Sequence, residues 1–362
     1  MRWFNGLQGL PDARGLIRVA LVYIGAATSG WIAAELNVPL PWMIGSILFT
    51  VAASLTFGRT KVPPITRPIG QVVIAGSVGL AFTPTAVAAL GTMLWAMIAV
   101  ALLTILAGLL VAAVLVRLSG TDAITASLSS VPMGPVESAN LAIGYGVAPA
   151  PVVFSQTIRI LTLILLIPPV MIALEPGITD PTAALREMPW TLQGAGLLVA
   201  CSLLGFVIVR RLRLSNPFFL GSLAGAALAA AFELPITAFP YPVLAGGQVL
   251  LGVWLGAVFD RAFFREAGRF VPAAMASTIL MIVLCVAMGL AFVPLTGTRW
   301  TTMILATAPG SVTEMALTAK VLQEGIAVVT AFHVIRIFII LPLAPLIARI
   351  VARLTHWSRP TP

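Results

Sequence analysis

With 362 residues, 59% of them apolar and only 9% charged, the chain lies far from the roughly 25% charged residues of a soluble domain, which makes it an integral membrane protein. Its formal net charge of +9 does not argue for nucleic acid, because the basic residues of a membrane protein gather in cytoplasmic loops and the apolar runs leave no soluble domain to hold such a partner. The two cysteines, Cys201 and Cys285, both sit in apolar runs, which excludes a disulfide framework and a Cys-rich metal site.

The apolar segments are long and do not alternate, which predicts helical spans and not an outer-membrane barrel. A short polar start holds Arg2, Asp12 and Arg14, and a first helix is expected over residues 15–35. This helix has a counterpart later in the chain, so it is read as a span and not as a cleaved signal peptide. A second helix is expected over 39–57, followed by a basic loop with Arg59, Lys61 and Arg67. The third segment begins at Gly70 and carries three glycines suited to close packing. A plain fourth span covers 94–116, a fifth segment contains Ser130 to Glu137 (Ser-Val-Pro-Met-Gly-Pro-Val-Glu), and a sixth covers 151–174.

After an acidic connection with Glu175, Asp180 and Glu187, the same order returns. Helices are expected over 191–209, 216–232, 246–259 and 272–292, then a second broken segment from Thr301 that contains Thr307 to Glu314, and a last helix over 326–347. Gly45-Ser46 matches Gly221-Ser222 at an offset of 176, and Gln71, Gly79 and Phe82 match Gln248, Gly256 and Phe259 at 177. Pro132 with Pro309, Glu137 with Glu314, and Arg159 with Arg336 keep the offset of 177. Such self-similarity marks a tandem duplication. The expected organisation is a first membrane repeat over 1–175, an external connection over 176–189 and a second repeat over 190–362.

Basic residues orient the two repeats. In the first they lie before helix one, between helices two and three, and after helix four (Arg117). In the second they lie one loop out of step, at Arg210, Arg211 and Arg213, then at Arg261, Arg265 and Arg269. Inverted repeats with both termini inside place 16 of the 21 Lys/Arg on the cytoplasmic side, with Arg186, Arg299 and Lys320 outside and Arg159 and Arg336 within the membrane. Inversion requires an odd number of crossings per repeat, yet each has six apolar segments. The expected fold is therefore all-α, with two inverted-topology repeats of about five spans each plus one broken segment per repeat. The broken segment either forms a re-entrant hairpin or crosses fully while another segment lies in the interface.

The residues Pro41 to Ser46 (Pro-Trp-Met-Ile-Gly-Ser) and Ala308 to Met315 (Ala-Pro-Gly-Ser-Val-Thr-Glu-Met), together with the tandem repeat, resemble the bacterial membrane AbrB family. That family also carries the label ammonia monooxygenase and is unrelated to the small DNA-binding regulator of the same name. The resemblance covers nearly the whole chain. It implies kinship with the cation/proton antiporter and anion transporter superfamily, whose inverted repeats carry broken helices at the site. The family motif reads Pro-Gly-Gly near the break, whereas this chain has Pro132-Met133-Gly134 and Pro309-Gly310-Ser311.

The motifs also carry their own chemistry. Gly134-Pro135-Val136-Glu137 reads as a helix start with Gly at the N-cap, Pro at the first helical position and Glu at the third. Ser311 with Glu314 reads as a capping box. Such helix starts favour anions. Glu137 and Glu314 either cap their own helices or act as proton-coupling or cation-binding carboxylates. Arg159 and Arg336 lie in apolar helices one turn after Gln156 and His333. An Arg at a span's centre costs roughly 2.5 to 3.5 kcal/mol on insertion scales, so each calls for a partner: either the Glu of its own repeat or an anionic substrate. His333 is either a packing residue or a proton relay.

These features predict a secondary active transporter of a small anionic solute coupled to protons or cations. Its site would lie between the two broken segments and use Pro132, Gly134, Glu137, Gln156, Arg159, Pro309, Gly310, Ser311, Glu314, His333 and Arg336. The alternative is a membrane-embedded regulator or ligand sensor that acts on gene expression through a partner. No enzyme is expected: a copper monooxygenase needs a cluster of imidazoles, and the chain has only His333 and His356. The expected partners are the solute, a coupling proton or cation, the lipid bilayer and a second copy of the chain, with no cofactor, metal or nucleic acid. The expected location is the bacterial inner membrane, crossed several times, with both termini cytoplasmic.

Overall fold

The structure is a computed structural model that describes residues 13–58, 60, 62–174, 183–259, 261 and 267–354. Arg2, Asp12, Arg59, Lys61, Glu175, Asp180, Arg265 and His356 lie outside the described residues. The described chain is helical, without strands. In the first half it forms α1 (Ala13–Glu35), α2 (Pro41–Phe57), α3 (Thr66–Gly79), α4 (Pro84–Thr92), α5 (Leu94–Ser119), α6 (Ala123–Ser130), α7 (Pro135–Gly144) and α8 (Pro149–Leu174). After the one-turn α9 (Ala183–Arg186), the second half forms α10 (Leu192–Arg211), α11 (Pro217–Ala231), α12 (Tyr241–Gly256), α13 (Phe270–Thr296), α14 (Trp300–Thr307), α15 (Val312–Val321) and α16 (Ile326–Leu354).

Six of these helices, α1, α5 and α8 in the first half and α10, α13 and α16 in the second, are long and apolar enough to cross a bilayer. They expose large apolar side chains, such as Leu106 and Leu110 on α5 and Ile279 and Val283 on α13, as a lipid solvent requires. The helices α2, α11 and α12 are apolar but shorter. The third segment differs from its expected form. It stops at Gly79 and restarts as α4, where Thr83 caps the new helix by accepting from the Ala86 amide at 3.3 Å and Pro84 opens it. Lys320, expected on the outer side of the membrane, is buried in the last turn of α15.

The duplication extends to the backbone. Helices α6 and α14 begin and end 177 residues apart, as do α7 and α15, and α8 and α16 start 177 apart. Left-handed residues recur as well: Leu40 and Asn216 at φ 52° and 50°, Asn37 and Arg213 at 52° and 57°, Gly120 and Gly297 at 70° and 65°, and Gly146 and Gln323 at 72° and 54°. A left-handed leucine is strained. Its recurrence at Asn216 shows that the turn geometry is retained although the residue type is not.

The chain divides into two compact units, and each draws helices from both halves. The first holds α1, α2, α10, α12 and most of α3 and α11. Its packing rests on missing side chains, because a Cβ on Gly45 of α2 would overlap the Ser29 carbonyl of α1, and a Cβ on Gly221 of α11 would overlap the backbone of Gly205 and Phe206 in α10. Small residues let helix backbones touch in this way where lipid offers no hydrophobic drive. The second unit holds α4 to α8 and α13 to α16, and contains all eleven candidate site residues.

Candidate functional site at two helix breaks

Both breaks in the second unit have the same local cause. Val131 and Ala308 precede a proline and are extended, with φ/ψ of −66°/123° and −50°/137°; the proline ring disfavours the helical region for the residue before it. Each helix restarts three or four residues later. Gly134 is the N-cap of α7 with Pro135 at the first position, and Ser311 is the N-cap of α15 with its Oγ accepting from the Thr313 amide at 3.3 Å. The expected helix starts are therefore present at the expected residues.

Stopping a helix inside the protein strands the last carbonyls of α6 and α14, which must find donors where no bulk water reaches. The donors come from α8 and α16. Gln156 Nε2 donates to the Leu128 and Val131 carbonyls at 2.7 and 3.0 Å. Arg159 Nη1 donates to those of Ser129 and Ser130 at 3.3 and 3.2 Å, and Nη2 donates to Gln156 Oε1. Arg159 also reaches the other repeat, where its Nε donates to the Pro309 carbonyl at 2.8 Å. Arg336 donates through Nη1 to the Ala308 carbonyl at 2.7 Å and through Nη2 to the Gly310 carbonyl. One arginine thus ties the two breaks together, and the other serves its own.

The guanidinium groups sit at the negative ends of two half-helix dipoles, which favours cations there. Both are buried, at 3% and 5% exposure. Of the two readings for these charges, a Glu of the same repeat or an anionic substrate, the hydrogen bonds favour neither directly: carbonyl dipoles solvate both guanidinium groups, joined at Arg159 by the Gln156 side chain.

The remaining candidates follow their local helices. Glu137 is partly buried, and its Oε2 lies where a Cβ on Gly134 would stand, so the carboxylate folds back over its own N-cap. Glu314 is buried at the matching position of α15. Pro132, Pro309 and Gly310 are buried within the breaks, while Gly134 and Ser311 are partly buried. His333 occupies the position equivalent to Gln156 and is fully buried, but its Nδ1 lies 2.9 Å from the Val329 carbonyl of its own helix. The two half-sites are therefore chemically unequal. Ser129, Ser130, Ser155 and Ser277 gather beside Arg159, and nothing in the sequence marks them, since serine is common in membrane helices.

Residues 42–352 match the family described as "Transition state regulatory protein AbrB". The chain is 25% identical over 349 residues to "Uncharacterized protein YhjN" of Bacillus subtilis (strain 168), a match that covers 88% of this chain and 89% of the relative. It is 24% identical over 330 residues to "Putative regulator AbrB" of Escherichia coli (strain K12), covering 89% and 92%.

Proposed function

The chain belongs to the AbrB family, and from that premise we propose that this multi-pass membrane protein is a secondary active transporter of a small anionic solute, coupled to protons or cations. The observation that carries the reading is the pair of buried, un-ion-paired arginines at two duplicated helix breaks in one compact unit. Broken helices in matching places of two repeats are the usual setting of a transport site, because a break exposes backbone groups and helix ends to a ligand. Two guanidinium charges whose hydrogen bonds go to carbonyls and to the Gln156 side chain give a positive field that an anion can offset.

Glu137 and Glu314 supply the coupling carboxylates in this reading. The distribution of basic residues supports inverted repeats in the bacterial inner membrane with both termini cytoplasmic. The second reading, a membrane-embedded regulator that binds the ligand without moving it, takes its motive from the name of the Escherichia coli relative, "Putative regulator AbrB".

Uptake by proteoliposomes across a panel of small anions, with and without a pH gradient, tests the proposal. Transport of an anion that accelerates with the gradient and loses that acceleration in Glu314→Gln is the expected result. Saturable binding without uptake for every ligand would favour the regulator. Uptake of cations alone, or equal coupling in wild type and Glu314→Gln, overturns the anion or the carboxylate part respectively.

A further inference from the structure

Beside the first break lies a small, partly open cavity of about 10 Å³ lined by α5, α6, α8 and α13, all within the second compact unit. Its polar wall is Ser129, Ser130, Ser155, Ser277, Thr278 and Arg159, and its other wall is apolar. The serines are between 2% and 5% exposed, and the hydroxyl oxygens of all four make no hydrogen bond within the protein.

Buried hydroxyls without a hydrogen bond also occur in this unit at Thr157, Thr301 and Thr313, which are not in the cavity wall, so what distinguishes the four serines is that they line one cavity. Other helical hydroxyls of the unit are bonded. Thr104, Ser119, Ser127, Thr162 and Thr318 each donate to the carbonyl four residues back, the ordinary outlet for a hydroxyl on a membrane helix. Four buried hydroxyls that decline this outlet around one cavity are costly unless something in the cavity accepts from them.

The sign of that acceptor follows from its neighbour. Hydroxyls can serve either ion, but a guanidinium in the same wall repels a cation, and Arg159 has no carboxylate partner to cancel its charge. Of its five N–H groups, the Nε hydrogen and both Nη1 hydrogens go to carbonyls and one Nη2 hydrogen to Gln156, which leaves one for a ligand. The equivalent positions around Arg336 are Ala306, Thr307 and Phe332, with the Thr307 hydroxyl committed to the Cys285 and Met303 carbonyls. The second repeat therefore lacks the pocket.

We infer that this hydroxyl-lined pocket at Arg159 is a binding site for a single-centre monoanion of halide size, present in one repeat only. The inference rests on the anion reading above and sharpens it, because it assigns the anion to one arginine. Charge-assisted O–H and N–H donors converging on one centre suit a spherical ion such as chloride or bromide better than a branched or planar oxyanion.

Purified protein in detergent is exchanged into chloride-free sodium gluconate and followed by thermal unfolding as chloride, bromide, acetate or sulfate is added at constant ionic strength. Saturable stabilisation by chloride and bromide, with little from acetate or sulfate, is expected. Ser155→Ala with Ser277→Ala is expected to raise the half-saturating halide concentration at least tenfold. Ser277→Ala alone, on α13 and away from both breaks, is expected to raise it several-fold and guards against misfolding of the double variant. Wild type indifferent to halide, a response to acetate but not halide, or an unchanged midpoint in folded Ser277→Ala overturns the inference. Halide binding in a protein that transports no anion would sink the transport reading and leave the site standing.

Discussion

The cross-repeat contact of Arg159 predicts an asymmetry that can be measured. Replacing either arginine by lysine keeps the charge and shortens the fan of five donors to one ammonium on a flexible stem. Arg159 binds three carbonyls and the Gln156 side chain, one of the carbonyls in the opposite break, whereas Arg336 binds two carbonyls of its own break. A lysine at 159 retains the nearest carbonyls and loses two or three bonds, and one at 336 loses about one. At roughly 0.6 to 1.7 kcal/mol per hydrogen bond inside a membrane protein, Arg159→Lys costs about 1 to 5 kcal/mol and Arg336→Lys about 0.6 to 1.7. SDS titration in mixed micelles, read by the fluorescence of the eight tryptophans, gives both midpoints. Equal shifts, or a larger shift for Arg336→Lys, would refute the view that Arg159 alone fastens the two breaks to each other.

The glycine contacts and the topology yield two further tests. Gly45→Val and Gly221→Val should each destabilise the first compact unit by about 3 kcal/mol, the upper part of the usual overpacking range, because the clash is with backbone that cannot move aside; Gly196→Val, where a Cβ meets nothing within 4 Å, should leave the size-exclusion profile of detergent-solubilised protein unchanged. In a background with Cys201 and Cys285 replaced by alanine, the inverted arrangement expects Arg186→Cys to react with an impermeant maleimide from outside intact cells and Arg213→Cys to react only after the cells are opened; labelling of both from outside would rule it out.

Local structure at the breaks was legible because it has local causes. A proline excludes helical geometry one residue upstream, and Gly134-Pro135 and Ser311 then cap the new helices, so the starts of α7 and α15 stand where composition alone puts them. The break between α3 and α4 obeys the same rule, with Thr83-Pro84 as its signal, but the surrounding apolar run hides it. The burial of Lys320 was not legible, because topology rules count basic residues by side and say nothing of whether α15 carries one into the interior.

Amino-acid order alone was enough for the membrane class, the duplication with its offset of 177 and the residues at which both helix breaks fall, since hydrophobicity, periodicity and proline chemistry act over a few residues. What the buried arginines hold emerges only once the helices are packed. Their acceptors are carbonyls, which every residue carries, and the one that matters most to Arg159 belongs to Pro309, 150 residues away. A backbone oxygen leaves no mark in a sequence; it becomes a partner when a distant helix brings a donor to it.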